Sequence, residues 1–456
     1  MILHSFENLR IFLTVTKRSL RCSIRLHCIR FPATPGCVAF AMVTFLALSG
    51  LSAVGDEIKA KSPAQEQFEQ GATFLKEKNY SQAEASFKKA IEVDPKFVLP
   101  YLGLSDVDRQ KGDMEGASSY LQKALALAPN NAGVQTAWGQ FLFAQKRFLE
   151  AEKAYQRAIQ IDPQAAAPKV QLGDLYLVAL KKPAEATIAY REALALDPSN
   201  QRTNLMLGVA LLSSGDLDQA EKQLTKACDL GPNDLTSRKA LADLQLRRGE
   251  VDSALENYRK ALQIDSNAAW ATIGIGNVFM GGQDYSQAIN SYRNALTKSP
   301  KSIEAQTKLG MAQELSGDLD SAEASYKAAL ALDPKDSVAA NNLAWLLAVK
   351  KQKPKEALPW AQKAVATNPK NANFLDTLGW IMRANGDVPG ALTVLKKAQA
   401  LAPQDPGISY HLGLAYQESG NPTLAAESFM KALAINTSFS GASDAQSRLA
   451  ALQTHK

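Results

Sequence analysis

A proline returns along this chain at a nearly constant interval, and that interval limits the fold more than any other feature. Pro95, Pro129, Pro163, Pro198, Pro232, Pro300, Pro334, Pro369 and Pro403 are separated by 34 residues, twice by 35, with one double step across Ser266. Carrying the period through gives eleven units, starting at Ala64, Val98, Ala132, Ala166, Gln201, Leu235, Ala269, Ile303, Ser337, Ala372 and Pro406. The twentieth position is alanine in every unit, from Ala83 to Ala425, and so is the twenty-seventh, from Ala90 to Ala432. The eighth is glycine in eight units, beginning with Gly71 and Gly139. Between the two alanines, at position 24, stands an aromatic or leucine, as at Phe87, Tyr155, Tyr258, Tyr292, Tyr326 and Phe429. Small residues at fixed places let two elements approach closely, and the large one fills the space they leave. A unit this short cannot bury its apolar face alone, so the chain is read as a stacked array.

The turn chemistry makes each unit helix, turn, helix, turn. Gly112-Asp113, Gly215-Asp216, Gly249-Glu250, Gly317-Asp318, Gly386-Asp387 and Gly420-Asn421 recur near mid-unit. Glycine can take the left-handed conformation that ends a helix, and the Asp or Asn after it can cap the next. The proline near each unit's end cannot continue a helix interior and so separates units. The two 35-residue units have their extra residue near Lys182-Pro183 and Lys353-Pro354. The insertion is expected in the turn between the two helices.

A small residue at position 8, alanine at 20 and 27 and proline at 32, over residues 64–439, resemble the tetratricopeptide repeat (TPR) family. Departures are local: Ser266 and Thr437 replace the proline, and Ser105, Ala242 and Ala344 replace the position-eight glycine. The resemblance implies an all-α fold, a right-handed superhelical solenoid of about eleven helix-turn-helix repeats whose concave face is lined by first helices. Residues 56–63 read as a short linker. Residues 440–456 read as a capping helix and tail, since a solenoid must cover its last apolar face.

Residues 1–55 read as a targeting segment. Arg10, Lys17, Arg18, Arg21, Arg25 and Arg30 precede an uncharged apolar run from Cys37 to Gly55, and Asp56 and Glu57 follow it. Positive flank, apolar run and polar chain make the secretory pattern. Ala53-Val54-Gly55 supplies small residues for cleavage after Gly55. Uncut, the 19-residue run is long enough to span a bilayer as a signal anchor. Either way the basic flank stays inside, and the repeats are expected outside the cytoplasm: periplasmic, secreted or membrane-anchored. A mitochondrial presequence, also Arg-rich and acid-poor, is the alternative. The leader also explains the net charge of +6, because residues 56–456 hold 45 basic and 44 acidic residues. A nearly neutral body without a basic stripe does not fit nucleic-acid binding.

No catalytic chemistry is expected. There is no Walker loop, HExxH or GxSxG. Gly274-Ile275-Gly276 imitates part of a dinucleotide fingerprint, but Gly276 is the small eighth position. The four cysteines and four histidines have no metal-ligand spacing in the body of the chain, so neither metal nor cofactor is expected. Cys228, one residue after a packing alanine, reads as a small core residue. The charged set that grips chaperone tails in some TPR domains is not assembled: positions five and nine read Lys239 and Asp243, then Ile273 and Asn277, then Thr307 and Met311.

Function is therefore expected in a surface. The candidate partner-binding residues are Trp345 and Trp380, at position nine of successive units, with Tyr410 extending the row and Asn341 and Asp376 supplying polar contacts. Positions two, five, nine and twelve share one face of a first helix. The alternative for these aromatics is packing between neighbouring first helices. The text Asn341-Asn342-Leu343-Ala344-Trp345 and Asp376-Thr377-Leu378-Gly379-Trp380 resembles exported bacterial TPR proteins, some of which accompany exopolysaccharide and PEP-CTERM-type sorting systems. The expected function is a non-enzymatic scaffold that binds protein or peptide partners in its concave groove, within an envelope or secretion assembly. A carbohydrate-binding or polysaccharide-export accessory protein is the alternative.

The alanine rows generate a stability test. Ala288→Leu should destabilise the protein by about 1–3 kcal/mol, because overpacking forces the helices apart. Gln287→Ala should change stability by no more than about 0.5 kcal/mol. Chemical denaturation of both variants reads the difference, and equal effects would mean the inward face is misassigned.

Overall fold

A computed structural model of the chain describes residues 61–454. The leader assigned to residues 1–55 and most of the linker lie outside the described residues. Within them the chain forms helices joined by turns, with no strand. The first helices of the eleven repeats are α1 (Pro63–Lys76), α3 (Leu99–Lys111), α5 (Ala132–Ala144), α7 (Ala166–Asp174), α9 (Gln201–Ser214), α11 (Leu235–Arg248), α13 (Ala269–Gly281), α15 (Ile303–Leu315), α17 (Ser337–Trp345), α19 (Ala372–Ala384) and α21 (Pro406–Glu418). The second helices are α2 (Tyr80–Val93), α4 (Met114–Leu127), α6 (Phe148–Ile161), α8 (Pro183–Leu196), α10 (Leu217–Leu230), α12 (Val251–Ile264), α14 (Tyr285–Lys298), α16 (Leu319–Leu332), α18 (Pro354–Thr367), α20 (Val388–Leu401) and α22 (Pro422–Ile435). A last helix, α23 (Ala442–Thr454), caps the array.

The small and large rows of the sequence meet face to face. At each of the eight position-eight glycines, an added Cβ would fall between 2.5 and 2.7 Å from the position-24 side chain of the same repeat, as at Gly139 against Tyr155 and Gly310 against Tyr326. The same side chain also reaches the next repeat. Phe87 fills the space over Gly103, and Tyr258 the space over Gly274, both at position six of the following first helix. Gly274 and Gly276 are thus helix-packing positions. Every alanine at positions 20 and 27 is essentially inaccessible. Tyr155, Tyr190, Tyr258, Tyr292, Tyr326, Phe87 and Phe429 are among the largest fully buried side chains.

Curvature follows from which helices touch. Each second helix packs against its own first helix and the first helix of the next repeat. Neighbouring first helices also touch each other, α5 with α7, α15 with α17, α17 with α19 and α19 with α21, whereas neighbouring second helices make no contact of similar extent. The first helices are therefore gathered on the inside of the superhelix and the second helices spread on the outside. The far end is closed by α23. Ala442 and Ala445 are buried and Leu449 and Leu452 pack on the last repeat, while Ser443, Gln446 and Ser447 face solvent.

The two long repeats correct one expectation. The extra residue does not lengthen the turn. It is absorbed inside the first helix as a wider π-helical turn, Leu175–Ala179 after α7 and Leu346–Lys350 after α17. There the backbone N–H of Leu180 donates to Leu175 O, and that of Lys351 to Leu346 O, five residues back. A bulge inside a helix keeps its hydrogen bonds, so the tip and the second helix stay in register.

A second finding concerns those tips. All eleven first helices are followed by one residue at positive φ. It is Gly112, Gly215, Gly249, Gly317, Gly386 or Gly420 in six repeats, and Lys78, Lys146, Lys181, Gln283 or Gln352 in the others. The helix-ending geometry is thus constant and only partly written in glycine. Asp113, Asp216, Asp318, Asp387 and Asn421 then cap the second helix through their side chains, as expected, whereas Glu250 does not.

A Cβ at Gly317 would meet nothing within 4 Å, so a substitution there tests backbone strain alone. Gly317→Ala should cost about 1 kcal/mol, and Gln283→Gly should stabilise by up to about 1 kcal/mol, because a side chain in the left-handed region is penalised by roughly that much. Paired urea melts check the opposite signs.

Candidate functional site

Position nine lies on the first helices that gather on the concave side, and its chemistry changes along the array, ending at Leu414, which is buried against the cap. In repeats four, six and seven it is Asp174, Asp243 and Asn277. Each accepts a hydrogen bond from the position-24 hydroxyl of its own repeat: Tyr190 to Asp174 at 2.6 Å, Tyr258 to Asp243 at 2.7 Å and Tyr292 to Asn277 at 2.9 Å. A buried hydroxyl needs a partner, so a tyrosine at position 24 calls for a polar group within reach. Burial, followed by the neighbouring carboxylate, pushes the Tyr190 and Tyr258 hydroxyls well above their usual range. In repeat eight the acceptor moves one turn along to Glu314, which takes the Tyr326 hydroxyl at 2.9 Å and leaves Met311 at position nine. Burial raises the Glu314 carboxyl, opposed by the Tyr326 hydrogen bond and by Lys350. In repeats nine and ten the residues at position 24 are Ala361 and Leu395, with no hydroxyl to satisfy. Position nine is free there, and it holds Trp345 and Trp380.

The two indoles are brought together but do not lie parallel. Their ring centroids are 6.3 Å apart and the planes are inclined by 45°. Trp380 is half core. It packs against two apolar clusters, His411 stands 4.5 Å from its ring, and the Arg383 guanidinium lies over it at 4.3 Å. Trp345 is also only partly exposed, but belongs to none of those clusters. His411 continues the row where the sequence suggested Tyr410. Its Nδ1 lies 2.8 and 2.9 Å from the two carboxylate oxygens of Asp376. A carboxylate only accepts, so Nδ1 carries the proton. Asp376 therefore faces a histidine of the next repeat.

Tyr410 turns the other way, toward the cap. Its hydroxyl donates to Asp444 at 2.7 Å, and its ring contacts Phe429 at 6.1 Å and Phe439 at 5.7 Å. Burial and the Asp444 hydrogen bond push the hydroxyl up to about 12. Arg448 closes the cluster, bonding Asp444 at 2.5 Å and Gln417 at 3.0 Å. Asn341 lies one turn before Trp345, half-buried, with its Oδ1 enclosed and without a hydrogen-bond partner. The sequence reading named Met311 only as a position-nine residue and His411 only as a histidine near the groove, and it passed over Arg383. Met311 shares position nine with the tryptophans, Arg383 follows Trp380 by three residues on the same face, and His411 adjoins Tyr410.

Nothing here converges as acid, base and nucleophile. Among the described residues no group of three or more His, Cys, Asp or Glu side chains is placed to hold a metal ion. A depression along α10, lined by Asp218, Glu221, Lys222, Thr225, Lys226 and Asp229, is open to solvent and belongs to one helix face. No described helix is long and apolar enough to cross a membrane. Cys228 is buried, and burial raises its thiol above the usual range.

Three family models match the chain. The tetratricopeptide repeat models cover residues 74–140 and 177–244 in one case and 132–165 in the other. A model described as the cilia and flagella-associated protein 70 C-terminal domain, also built of these repeats, covers residues 229–452. Over 140 residues the chain is 32% identical to the type IV pilus assembly protein PilF of Pseudomonas aeruginosa, 29% of this chain and 54% of that one. An uncharacterised protein of Haemophilus influenzae is 24% identical over 115 residues, 25% of this chain and 64% of that one. The chain thus spans between about half and two thirds of the length of these curated relatives. Among solved structures, yeast Tom70 is 17% identical with a TM-score of 0.48, covering 86% of this chain and 96% of that one.

The placement of Tyr410 gives a test that separates seam from groove. Tyr410→Ala should release α23, making residues 442–454 sensitive to protease at a temperature where the repeats stay folded. Removing a half-buried aromatic that also anchors a hydrogen bond should cost about 2 kcal/mol locally, less than a fully buried ring. Limited proteolysis with mass mapping reads it, and an unchanged cleavage pattern would show that Tyr410 does not hold the cap.

Proposed function

The chain belongs to the tetratricopeptide-repeat family, and from that premise we propose that it is a non-enzymatic scaffold that holds partner proteins in its concave groove. The observation that carries this reading is the change at position nine, where Met311, Trp345 and Trp380 replace polar residues that are already bonded internally. Aromatic side chains bury large area with few rotors to freeze, which is why Trp and Tyr concentrate at binding hot spots. The partner-binding set is therefore Trp345 and Trp380, with Asn341 and Asp376 beside them and Tyr410 supporting the end of the row from the cap.

The finer reading is an envelope setting. An exported or membrane-anchored protein fits the basic flank and apolar run of residues 1–55, which would act as signal peptide or anchor ahead of the repeats. The partial likeness to a pilus assembly protein supports the same compartment. In that setting the repeats gather components of an assembly outside the cytoplasmic membrane.

The test is in-cell crosslinking and affinity capture with two variants. Trp345→Ala should reduce captured partner by about tenfold or more while leaving the melting temperature nearly unchanged. Trp380→Ala should lose both binding and stability, since its ring is half core. If Trp345→Ala captures as well as the parent, the groove site is wrong. A reporter fused after residue 55 reads the compartment separately.

A further inference from the structure

The charge state of the groove says what kind of segment it takes. Every carboxylate around the aromatic row already has a partner. Asp376 is met by His411, Glu418 by Arg383, Asp444 by Arg448 and Tyr410, and Glu314 by Tyr326 with Lys350 nearby. Glu304 on the first helix of repeat eight lies within 4.0 Å of Lys308. His411, Arg383, Arg448 and Lys308 are the other halves of these pairs, and Lys350 stands near the Glu314 carboxyl. A charged partner group at Asp376, His411 or Arg383 would have to displace the partner these largely covered groups already have and leave an ion beside apolar surface, which costs more than a new exposed pair returns.

The exposed surface of the row is apolar. Met311 is 36% exposed, Leu315 56% and Val338 47%, beside the partly exposed Trp345 and Trp380. They come from α15, α17 and α19, three first helices that touch in sequence. Ring orientation distinguishes the occupants. A sugar ring needs an open, flat aromatic face to stack on. Trp380 has a guanidinium over its ring and an imidazole against it, and Trp345 is inclined to it by 45°. Two inclined rings, with Met311 at the same position of the neighbouring first helix, make an uneven apolar surface rather than a flat platform, which suits a protruding aliphatic or aromatic side chain.

We infer that repeats eight to ten bind an extended, uncharged protein segment that inserts an apolar side chain between Met311, Trp345 and Trp380. The inference rests on the scaffold reading and adds the chemistry of the partner. Affinity then comes from buried apolar area and is nearly indifferent to ionic strength.

The experiment titrates the full chain, followed by tryptophan fluorescence and calorimetry, with four synthetic probes. These are a Gly/Ser peptide with central Leu-Phe, the same peptide flanked by aspartates, the same flanked by lysines, and a neutral glucose hexasaccharide. The uncharged peptide should bind tightest, with less than about a twofold change in Kd between about 50 and 500 mM salt. Its affinity should fall about tenfold in Trp345→Ala and stay unchanged in Trp270→Ala, which removes a tryptophan from α13 outside the row. Met311→Glu and Met311→Lys should both weaken it, because either sign introduces an uncompensated charge. Preference for a charged probe or for the hexasaccharide, a steep salt dependence, or strengthening by one Met311 charge variant would overturn the inference. If no probe binds while Trp345→Ala still loses its crosslinked partner, the uncharged-segment chemistry is wrong and the scaffold reading stands. If probe binding and partner capture are both indifferent to Trp345, both readings fall.

Discussion

Eight of the eleven repeats are closed by the same contact, the large side chain at position 24 seated on the glycine at position eight. Phe87, Tyr155, Tyr190, Tyr292, Tyr326 and Phe429 each occupy the volume a Cβ would need. Because Phe87 and Tyr258 also fill space over the next repeat, the side chain that closes one hairpin of helices sets the approach of its successor. Burying such a ring is worth roughly 3–5 kcal/mol against alanine, far more than any cap or surface ion pair here supplies. Stability is therefore carried by near-neighbour contacts, as expected for a quasi-one-dimensional array.

That contact also shapes the concave wall. The hydroxyls of Tyr190, Tyr258 and Tyr292 reach the concave wall, where position nine supplies an acceptor. Asp174, Asp243 and Asn277 are occupied in this way. Asp106, the position-nine residue of repeat two, bonds Arg109 instead, at 2.9 Å. In repeats nine and ten, where position 24 is Ala361 or Leu395, indoles stand at position nine, whereas repeats two and five, with Leu121 and Leu224 at position 24, carry Asp106 and Val209 there.

The repeat, its alanine rows and its helix-turn-helix plan were legible because each is enforced in every unit by packing with no alternative. The left-handed tips were half legible. Glycine announces six of them, but Lys78, Lys146, Lys181, Gln283 and Gln352 adopt the same geometry with an ordinary side chain, and tertiary context overrides the local preference. The extra residue of the long repeats could not be placed by spacing, since a gap anywhere between the fixed positions 8 and 20 preserves the period. Only the backbone puts it in a π-helical turn directly after Asp174 and Trp345. At the site, spacing found both tryptophans but could not say that Tyr410 faces the cap or that His411 joins the row. Residues 410 and 411 are adjacent in sequence and diverge by about a third of a helical turn, so their roles are settled by which neighbour each meets.

The occupied wall of the earlier repeats bears on how a partner would lie. A ligand group reaching Asp174 or Asp243 competes with a tyrosine hydroxyl, and with Arg202 or Lys239, which bond the same carboxylates at 2.7 and 2.5 Å. Exchanging one hydrogen bond for another yields little, whereas stranding a buried hydroxyl costs about 1–3 kcal/mol. Repeats four, six and seven are thus poor in available polar contacts, while repeats eight to ten offer apolar area without such a penalty. The array is structurally regular and energetically uneven. On the proposed reading, a partner would gain most from Met311, Trp345 and Trp380 in repeats eight to ten.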